Sequence, residues 1–513
     1  MSATTNAPKT LEELKGLLKD DIKVKVAGVD VDGVLRGKFM SKDKFLSAAS
    51  SDGFGFCSVI FGWDIHDTTY SRELLISNKG NGYRDLIASI DLSTYRRIPW
   101  ENNVPFFLVS FLDPDTREPI VVDPRGIMRI TAEKAAAAGR QCMAGVEFEV
   151  CHFAYLCAPI LTRLEYFNFK GKARIRLASQ LLVTAPFREC RLLGGEEVFE
   201  SGAIDTRKRV LLHGYSMLRT QLNNDYFHDL FDRSADFDID IEGHHTETGP
   251  GVYETALAYT SALRMADNAI LFKYLAKSIG MQRGVVPSFM AKPWGNLPGC
   301  SGHIHVSLRD SEGKNIFAVS ESELATGRSD AAFDDTKFMS KEGEAFLAGV
   351  LDGIADVVPL LVPTINGYKR LVGGAAFWAP NAVTYGYDSR AASIRVISPP
   401  SVPPSATRLE IRIPGADMNP YFALSAAFLL GLRGIEKQLK LEIPPISHFT
   451  PEDRLSGKVK MLPVSLESAN ARMMQPNSVA RQIFGDLFVD HFGGTREHEV
   501  NLWNAAVTSW EGK

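Results

Sequence analysis

Two glutamates separated by one residue, Glu147 and Glu149, are the first side chains in this sequence whose spacing could support chemistry. In a strand, residues i and i+2 lie on the same face, and two carboxylates held so close repel each other unless a cation lies between them. An isolated pair of this kind is more often a solvent-facing strand edge. The pair therefore indicates a metal site only if other ligands converge on it.

A second acidic pair, Glu247 and Glu254, lies on either side of a Gly-Pro-Gly turn at residues 249–251. Glycine and proline allow a sharp reversal of the chain, which can bring two glutamates seven residues apart toward one point. Such a turn seldom lies between two acids by chance. This segment is therefore more specific than the first pair.

Two further segments carry ligand types on one strand face. His303 and His305 are two residues apart, and Glu410 lies between Arg408 and Arg412 at the same spacing. Each segment alone is more often a half-exposed strand than a site. Together, the four segments supply five carboxylates and histidine, a hard and oxygen-rich ligand set that suits Mg²⁺ or Mn²⁺ better than zinc.

Arginines are concentrated between residues 370 and 412, in the same part of the chain as the last acid. They are Arg370, Arg390, Arg395, Arg408 and Arg412. The planar guanidinium binds carboxylates and phosphates through two parallel hydrogen bonds, so the cluster favours an anionic substrate. For any one of these arginines, a solvated basic face is the alternative interpretation.

No common nucleotide-binding loop occurs in the sequence. Neither G-x-x-x-x-G-K-[ST] nor a G-x-G-x-x-G between a strand and a helix is present. Phosphoryl transfer requires charge stabilisation rather than one particular loop. An ATP site would therefore consist of metal ions and arginines that bind the phosphates.

Composition argues against several classes of protein. A net charge of -4 and a pI near 6.3 give no basic surface for nucleic acid. The six cysteines have no C-x-x-C spacing, which favours a reducing compartment. The first residues lack an apolar signal core, and the longest apolar run, near 423–432, is about ten residues where a membrane span needs around 20. We therefore expect a cytoplasmic protein without nucleic-acid or membrane partners.

The elements that must hold these residues are strands alternating with helices. Strands are predicted at residues 23–31, 58–61, 86–91, 106–111, 144–150, 237–242, 303–308, 393–397 and 409–413. Helices are predicted at residues 127–138, 252–278, 341–361 and 419–437. A Pro-Arg-Gly turn at 124–126 marks the predicted domain boundary. The order of elements predicts an α+β fold whose second domain has a mostly antiparallel sheet.

Taken in order along the chain, these segments resemble the glutamine synthetase family in its bacterial-type (class I) branch. The match runs from about Lys23 to Trp510 and Glu511. The resemblance implies a small N-terminal β-grasp-like domain at 20–120. It also implies a large catalytic domain at 124–513, with a curved, mostly antiparallel sheet flanked by helices. It further implies a homo-oligomeric ring, such as a dodecamer, with each site at a subunit junction.

The resemblance also implies a role for each candidate residue. Ligands of one metal would be Glu149, Glu247 and Glu254, and ligands of the ion nearer the nucleotide would be Glu147, His303 and Glu410. Arg370 and Arg390 match glutamate- and phosphate-binding arginines, while His305, Arg395, Arg408 and Arg412 match positions on the ATP side. In the implied reaction the γ-carboxylate of glutamate attacks the γ-phosphate of ATP, and an amine displaces the resulting acyl phosphate.

Two departures from the family pattern concern the amine. Trp378, before Ala379 and Pro380, occupies the place of the glutamate in the family's flap. The family's ammonium-binding aspartate segment is also replaced, which leaves Asp64 and Asp67 as candidates there, with Asp64 expected to be the catalytic residue. Two tryptophans, Trp63 and Trp378, would suit an organic amine through cation–π contact and apolar burial. This feature resembles relatives that make γ-glutamyl amides, so either ammonia or an organic amine is expected.

A third departure concerns one metal ligand. The family pattern is continuous if Glu147 and Phe148 are joined directly to Glu165, which omits the residues between them. Glu149 and Glu165 therefore compete for the same ligand role.

Two other functions are compatible with the sequence. The first is a catalytically silent structural or signalling relative, which the missing flap glutamate favours. The retained acids and arginines disfavour it, because like charges are expensive to bury without a metal. The second is a ligase that activates an acid other than glutamate.

Overall fold

The structure, a computed structural model, describes residues 6–154, 213–295, 297–371, 379–450, 452–453 and 456–508. Its strands form two sheets, one before residue 113 and one after residue 140. The strands are β1 Lys23–Val29, β2 Leu35–Ser41, β3 Phe54–Cys57, β4 Asp85–Ile90, β5 Arg96–Ile98, β6 Val104–Leu112, β7 Gln141–Ala154, β8 Ile241–Thr246, β9 Val252–Ser261, β10 Val285–Ser288, β11 Gly302–Arg309, β12 Tyr385–Tyr387, β13 Ile394–Ile397 and β14 Arg408–Ile411.

The helices follow the same chain order. They are α1 Leu11–Leu17, α2 Lys42–Ala49, α3 Pro124–Ala137, α4 Met217–Thr220, α5 Asn224–Asp236, α6 Ala262–Gln282, α7 Lys341–Gly353, α8 Val358–Leu361, α9 Ile365–Tyr368, α10 Pro420–Glu436, α11 Leu466–Met473, α12 Val479–Phe484 and α13 Asp486–Ala505. Among the described helices, none combines the length and apolar character that spanning a bilayer requires.

The first sheet has six strands in the order β2-β1-β6-β4-β3, with β5 paired to β6. Only β1 and β6 run parallel within it. Its core comes from strands with few polar residues. In β6, for example, every residue except the last is buried. Near-continuous apolar runs of this kind are typical of a strand covered on both faces.

The second sheet is a curled half-barrel in the order β12-β13-β14-β11-β7-β9-β8, with β10 also paired to β7. All pairings are antiparallel except that of β12 with β13. The long helix α6 packs against β7 and β9, and α10 packs against α3, α6 and α7. The predicted α+β fold with a curved, mostly antiparallel sheet is confirmed. The domain division at 20–120 and 124–513 stays a prediction.

Three predicted elements were wrong. Residues 252–261, expected as the start of a helix, form strand β9, because their alternating burial suits a sheet that is half covered. Residues 58–61, expected as a strand, form a short 3₁₀ helix. The strand expected at 237–242 begins only at Ile241, because α5 continues to Asp236. Phe237 and Ile239 are nevertheless fully buried, as expected.

Candidate active site

The register of the second sheet brings the predicted acids together. β7 lies between β9 and β11, so that Glu149 is opposite Glu254 and Glu147 is opposite His303. β14 pairs with the other side of β11 and brings Glu410 opposite His305. Four strands that are far apart in sequence therefore contribute to one face of the sheet.

The Gly-Pro-Gly turn brings Glu247 close to Glu254, as its position between the two acids predicted. It connects β8 and β9, and the amide of Glu247 donates to the carbonyl of Val252 at 2.8 Å. Gly251 has φ +66°, in the left-handed region that favours glycine. Ligand atoms of His245, Glu247 and Glu254 all lie within 4.8 Å of one another. We refer to these three residues as the first group.

The charges at the first group are not balanced within the described part of the chain. Burial raises the pKa of Glu254 to about 9, and the charges of Glu149 and the neighbouring glutamates add to the rise. A hydrogen bond to Glu147 further favours the protonated form of Glu254. His245 Nε2 lies 3.6 Å from Glu254 Oε2. Carboxylates that converge without a sufficient countercharge fit a site for a divalent cation.

A second group lies beside the first on the same sheet. It consists of Glu147, His305 and Glu410, whose ligand atoms also lie within 4.8 Å of one another. His305 Nε2 is 3.0 Å from Glu147 Oε1. His303 Nδ1 is 3.5 Å from oxygens of both Glu147 and Glu410, so this imidazole lies between the two acids.

The acids of the second group are stabilised as anions. Burial opposes ionisation of Glu147, but His305 and His303 outweigh it and hold its pKa well below the usual range. Burial likewise raises the pKa of Glu410, but the charges of His303 and its neighbours lower it overall to about 2. Two carboxylates that stay ionised beside two imidazoles can bind a cation without first losing a proton.

Both candidate groups fit divalent cations, and the oxygen-rich donor set favours Mg²⁺ or Mn²⁺. Glu149 lies next to both groups. Its backbone amide donates to the carbonyl of Ser301 at 2.9 Å, and its Oε2 accepts from the amide of Ser301 at 2.6 Å. The competing candidate Glu165 lies outside the described residues. Glu149 therefore has a defined position opposite Glu254, whereas Glu165 cannot be compared with it.

The arginines surround the second group. Arg395 Nη1 donates to Glu410 Oε2 at 2.9 Å, and Arg412 pairs with the other oxygen of Glu410. Arg408 Nε donates to His305 Nδ1 at 3.2 Å, which directs the other ring nitrogen of His305, as N–H, toward Glu147. Predicted nucleotide-side residues and predicted metal ligands are thus in direct contact.

Arg370 and Arg390 occupy different environments. Arg370 is 5% exposed, and its Nη2 donates to backbone carbonyls that follow β14, including that of Pro414 at 2.8 Å. Its Nε is buried without a hydrogen-bond partner among the described residues. Arg390 is exposed, and its charge acts to lower the pKa of Tyr215, although burial and the nearby glutamates raise that pKa overall. Its carbonyl accepts from Arg412 Nε at 3.1 Å.

Asp64 is buried but is not brought to either group by contacts within this chain. Its Oδ2 lies 3.2 Å from His498 Nε2 on α13. Burial acts to raise the pKa of Asp64, but the hydrogen bond from His498 and those from nearby amides lower it overall. Within the described part of the chain, Asp64 makes no hydrogen bond or ion pair with the first or second group. Its catalytic role stays a prediction.

Two residues of the site were missed from the sequence. His245 belongs to the first group, and its H-x-E spacing with Glu247 was a signal that could have identified it. Tyr215 stacks on the His245 ring with a centroid distance of 4.3 Å and an interplanar angle of 21°. Tyr215 has no neighbouring motif or spacing in the sequence that would indicate a site. Trp378, in contrast, lies outside the described residues.

Comparisons with known proteins agree with this geometry. Residues 121–513 match the family model described as glutamine synthetase, catalytic domain. The Type-1 glutamine synthetase 2 of Dictyostelium discoideum is 37% identical over 95% of this chain and 82% of that protein. The glutamate–isopropylamine ligase of a Pseudomonas species is 33% identical over 95% of this chain and 93% of its own length.

A third relative, the gamma-glutamylethanolamide synthetase GlnA4 of Streptomyces coelicolor, is 29% identical over 99% of this chain and 96% of its own length. Among solved structures, a GmaS complex with ADP has a TM-score of 0.73 at 22% identity, covering 97% of this chain and 98% of that one. This structural likeness supports the fold alone.

The family match and these relatives define an ATP-dependent carbon–nitrogen ligase of the glutamine synthetase type. The chain belongs to the glutamine synthetase superfamily.

Proposed function

We propose that this protein activates the side-chain carboxylate of glutamate with ATP and condenses it with an amine. The observation that carries this proposal is the adjacency of the two groups: Glu254 of the first lies opposite Glu149, and Glu147 of the second lies two residues before Glu149 on the same strand. Two adjacent cation sites beside buried arginines are suited to disperse the charge of a phosphoryl group in transit.

The proposed reaction has two steps. A carboxylate oxygen of glutamate attacks the γ-phosphorus of ATP, which forms an acyl phosphate and releases ADP. The amine nitrogen then attacks the acyl carbon, inorganic phosphate leaves with the pair of electrons from the broken C–O bond, and the proton lost by the nitrogen passes to the departing phosphate. Divalent cations, when bound, supply positive charge that stabilises the phosphoryl oxygens.

The chain's own residues have distinct roles in this proposal. Glu149, Glu247 and Glu254, together with His245, would hold one Mg²⁺ or Mn²⁺. Glu147 and Glu410 of the second group would hold the other together with His303, whose Nδ1 lies 3.5 Å from both acids, because the Nε2 of His305 carries a proton and could not bind a cation. Arg395, Arg408 and Arg412, with His305, would bind the nucleotide phosphates. Arg370 and Arg390 would bind the carboxylate of glutamate and the transferred phosphoryl group.

An organic amine is the acceptor that we favour over ammonia. Tyr215 is 63% exposed and stacks on His245 of the first group, so an aromatic surface borders the acids where an ammonium group would be attracted. Two relatives bear names of ligases that act on isopropylamine or form an ethanolamide. Ammonia remains the second acceptor to be tested, because another relative is named a glutamine synthetase.

An amine panel tests the proposal. Purified protein is incubated with ATP, Mg²⁺, glutamate and ammonium, a monoamine, an amino alcohol or a polyamine, and phosphate release and γ-glutamyl product are measured. Aspartate in place of glutamate tests whether another acid is activated. We expect turnover with glutamate and at least one organic amine. Absence of turnover with every acceptor would refute the proposal.

A catalytically silent role is the alternative, and ligand binding separates it from the ligase. A protein that binds ATP·Mg²⁺ at this site must unfold at a higher temperature in its presence, because the ligand binds only the native state. We expect such a rise. No rise in the unfolding temperature and no bound metal would favour the silent relative.

We also propose the domain division at 20–120 and 124–513, and a homo-oligomeric ring such as a dodecamer. The division is supported by the sheets, because the first ends at Leu112 and the second begins at Gln141. Multi-angle light scattering would measure the number of subunits. A monomer with full activity would contradict the ring.

A further inference from the structure

The turn that leads to Arg370 is held at its N-terminal end by a carboxylate from the last long helix. α9 consists of only Ile365–Tyr368. So short a helix gains little from its own hydrogen bonds, and its first amides have no partner within it. Glu499, on α13, accepts a hydrogen bond from the amide of Ile365 at 2.8 Å through Oε1. The first amide of α9 is thereby fixed to a separate, longer element.

Glu499 is fixed in turn by Arg496, one helical turn earlier. Arg496 Nη1 lies 3.6 Å from Glu499 Oε2 and donates to the carbonyl of Pro363 at 2.7 Å. Its Nη2 pairs with Asp32, in the turn between β1 and β2. Arg496 and Asp32 are both buried in the structure, which strengthens the pair. The segment that enters α9 is therefore held at three points: the carbonyl of Pro363, the hydroxyl of Thr364, which donates to Asp417 Oδ2 at 2.5 Å, and the amide of Ile365.

The position of α9 determines the position of Arg370. The amide of Arg370 donates to the carbonyl of Gly367 at 3.1 Å, so the residue continues the turn directly. Asn366, within α9, exchanges two hydrogen bonds with the backbone of Lys292, at 2.8 and 3.1 Å. The guanidinium is held along one edge by the carbonyls after β14, while its Nε lacks a hydrogen-bond partner among the described residues. A shift of α9 would therefore redirect the unpartnered edge of Arg370.

We propose that Glu499 is a positioning residue for the acid substrate: by holding the first amide of α9, it fixes the guanidinium of Arg370. The inference rests on the proposed function, in which Arg370 binds glutamate. Glu499 itself does not contact substrate. Its loss should weaken glutamate binding while ATP binding and the chemical steps change little, because the second group and its arginines lie on strands rather than on α9.

Steady-state kinetics of the full-length protein test this inference. We expect Glu499→Ala to raise KM for glutamate about tenfold, the effect of losing one buried hydrogen bond. Both kcat and KM for ATP should stay within about twofold. Glu499→Gln should restore KM, because its amide oxygen can still accept from Ile365. The control is Glu497→Ala on the same helix, which removes a half-exposed ion pair with Arg72 and should leave KM unchanged.

A double mutant separates positioning from a general loss of stability. In an Arg370→Lys background, Glu499→Ala should raise KM for glutamate little further, because both changes act through one guanidinium. If the effects of the two substitutions on the free energy corresponding to KM for glutamate were fully additive, the inference would be overturned. A KM for glutamate equal to that of Glu497→Ala, or a parallel change of kcat and both KM values, would also overturn it.

Two further outcomes are informative. If Glu499→Ala does not fold, Glu499→Asp, which withdraws the carboxylate by one methylene, should also raise KM for glutamate, and an unchanged KM would overturn the inference. If the wild-type protein shows no glutamate-dependent turnover, the proposed function fails and this inference fails with it. If the wild-type protein turns over normally and the Glu499 variants have an unchanged KM for glutamate, this inference is overturned while the proposed function stands.

Discussion

Replacing Glu254 by glutamine should abolish turnover and yet stabilise the metal-free protein. In the absence of a cation, Glu254 is buried among other carboxylates, and its pKa rises from 4.5 to about 9. At pH 7 the folded protein must therefore hold a proton that the unfolded chain has lost. Glutamine needs no such proton. The substitution therefore removes the unfavourable free energy of protonating Glu254 on folding at pH 7.

The size of the effect follows from the pKa. A raised pKa in the folded state means that stability is greatest below pH 4.5 and falls as the pH rises toward about 9. Each pH unit in that window is worth at most about 1.4 kcal/mol, and the neighbouring acids share the charge. We therefore expect Glu254→Gln to raise the free energy of unfolding at pH 7 by about 1–3 kcal/mol in the presence of a chelator.

The assay combines stability with function. Urea unfolding in EDTA measures the increase in the free energy of unfolding of the metal-free protein. Thermal unfolding with ATP·Mg²⁺ measures stabilisation by the ligand, and phosphate release measures turnover. Glu242→Gln, an exposed acid on β8, is the matched control and should behave as the wild type in all three. If Glu254→Gln turned over ATP normally, or if the metal-free variant were less stable than the wild type, the assignment of Glu254 to a cation site would be refuted.

Three other substitutions should give distinct results. Glu410→Gln should also abolish turnover but destabilise the metal-free protein by about 3 kcal/mol in urea, because it leaves buried Arg412 without its anion, whereas half-buried Arg395 keeps Asp388. Arg125→Met should cost a similar amount in urea, since its guanidinium is 3.0 Å from buried Asp267, while KM values of the folded fraction stay unchanged. Burial lowers the pKa of His152 to about 4, so unfolding free energy should fall by up to about 1.4 kcal/mol per pH unit below pH 6.5, and His152→Phe should reduce that slope.

Much of the second sheet could be predicted because its strands alternate clearly. The strands around Glu147, His303 and Glu410 were expected from their patterns, and each is a strand in the structure. The segment 252–261 was misjudged because its alanines and its continuity with α6 suggested one long helix. Its pairing with β7 and β8 decides the conformation, and such long-range pairing outweighs local propensity.

Site residues that are close together in the sequence could be predicted, whereas site residues brought together by strand pairing could not be predicted from their spacing. The turn between Glu247 and Glu254 fixes their convergence within a few residues, so the sequence was sufficient. The convergence of Glu149 with Glu254 was expected only from the family resemblance, because residue spacing does not show which residues of β7 and β9 lie opposite each other. Tyr215 joins the site through contacts with Thr246 and His245, and neither contact has a sequence signal.

The same register explains how a cluster of repelling acids can exist before any cation binds. Along β7 the acids alternate with Val146, Phe148 and Val150, which are 2% exposed or less. A slip of one residue would turn these apolar side chains away from the core and the acids into it. Burial of three large apolar side chains stabilises the observed register by several kcal/mol, at roughly 1.5–3 kcal/mol each. This stabilisation exceeds the free energy expected to be lost by burying Glu254. Burial of the apolar face of β7 therefore keeps the acids on the opposite face, where they can bind a cation.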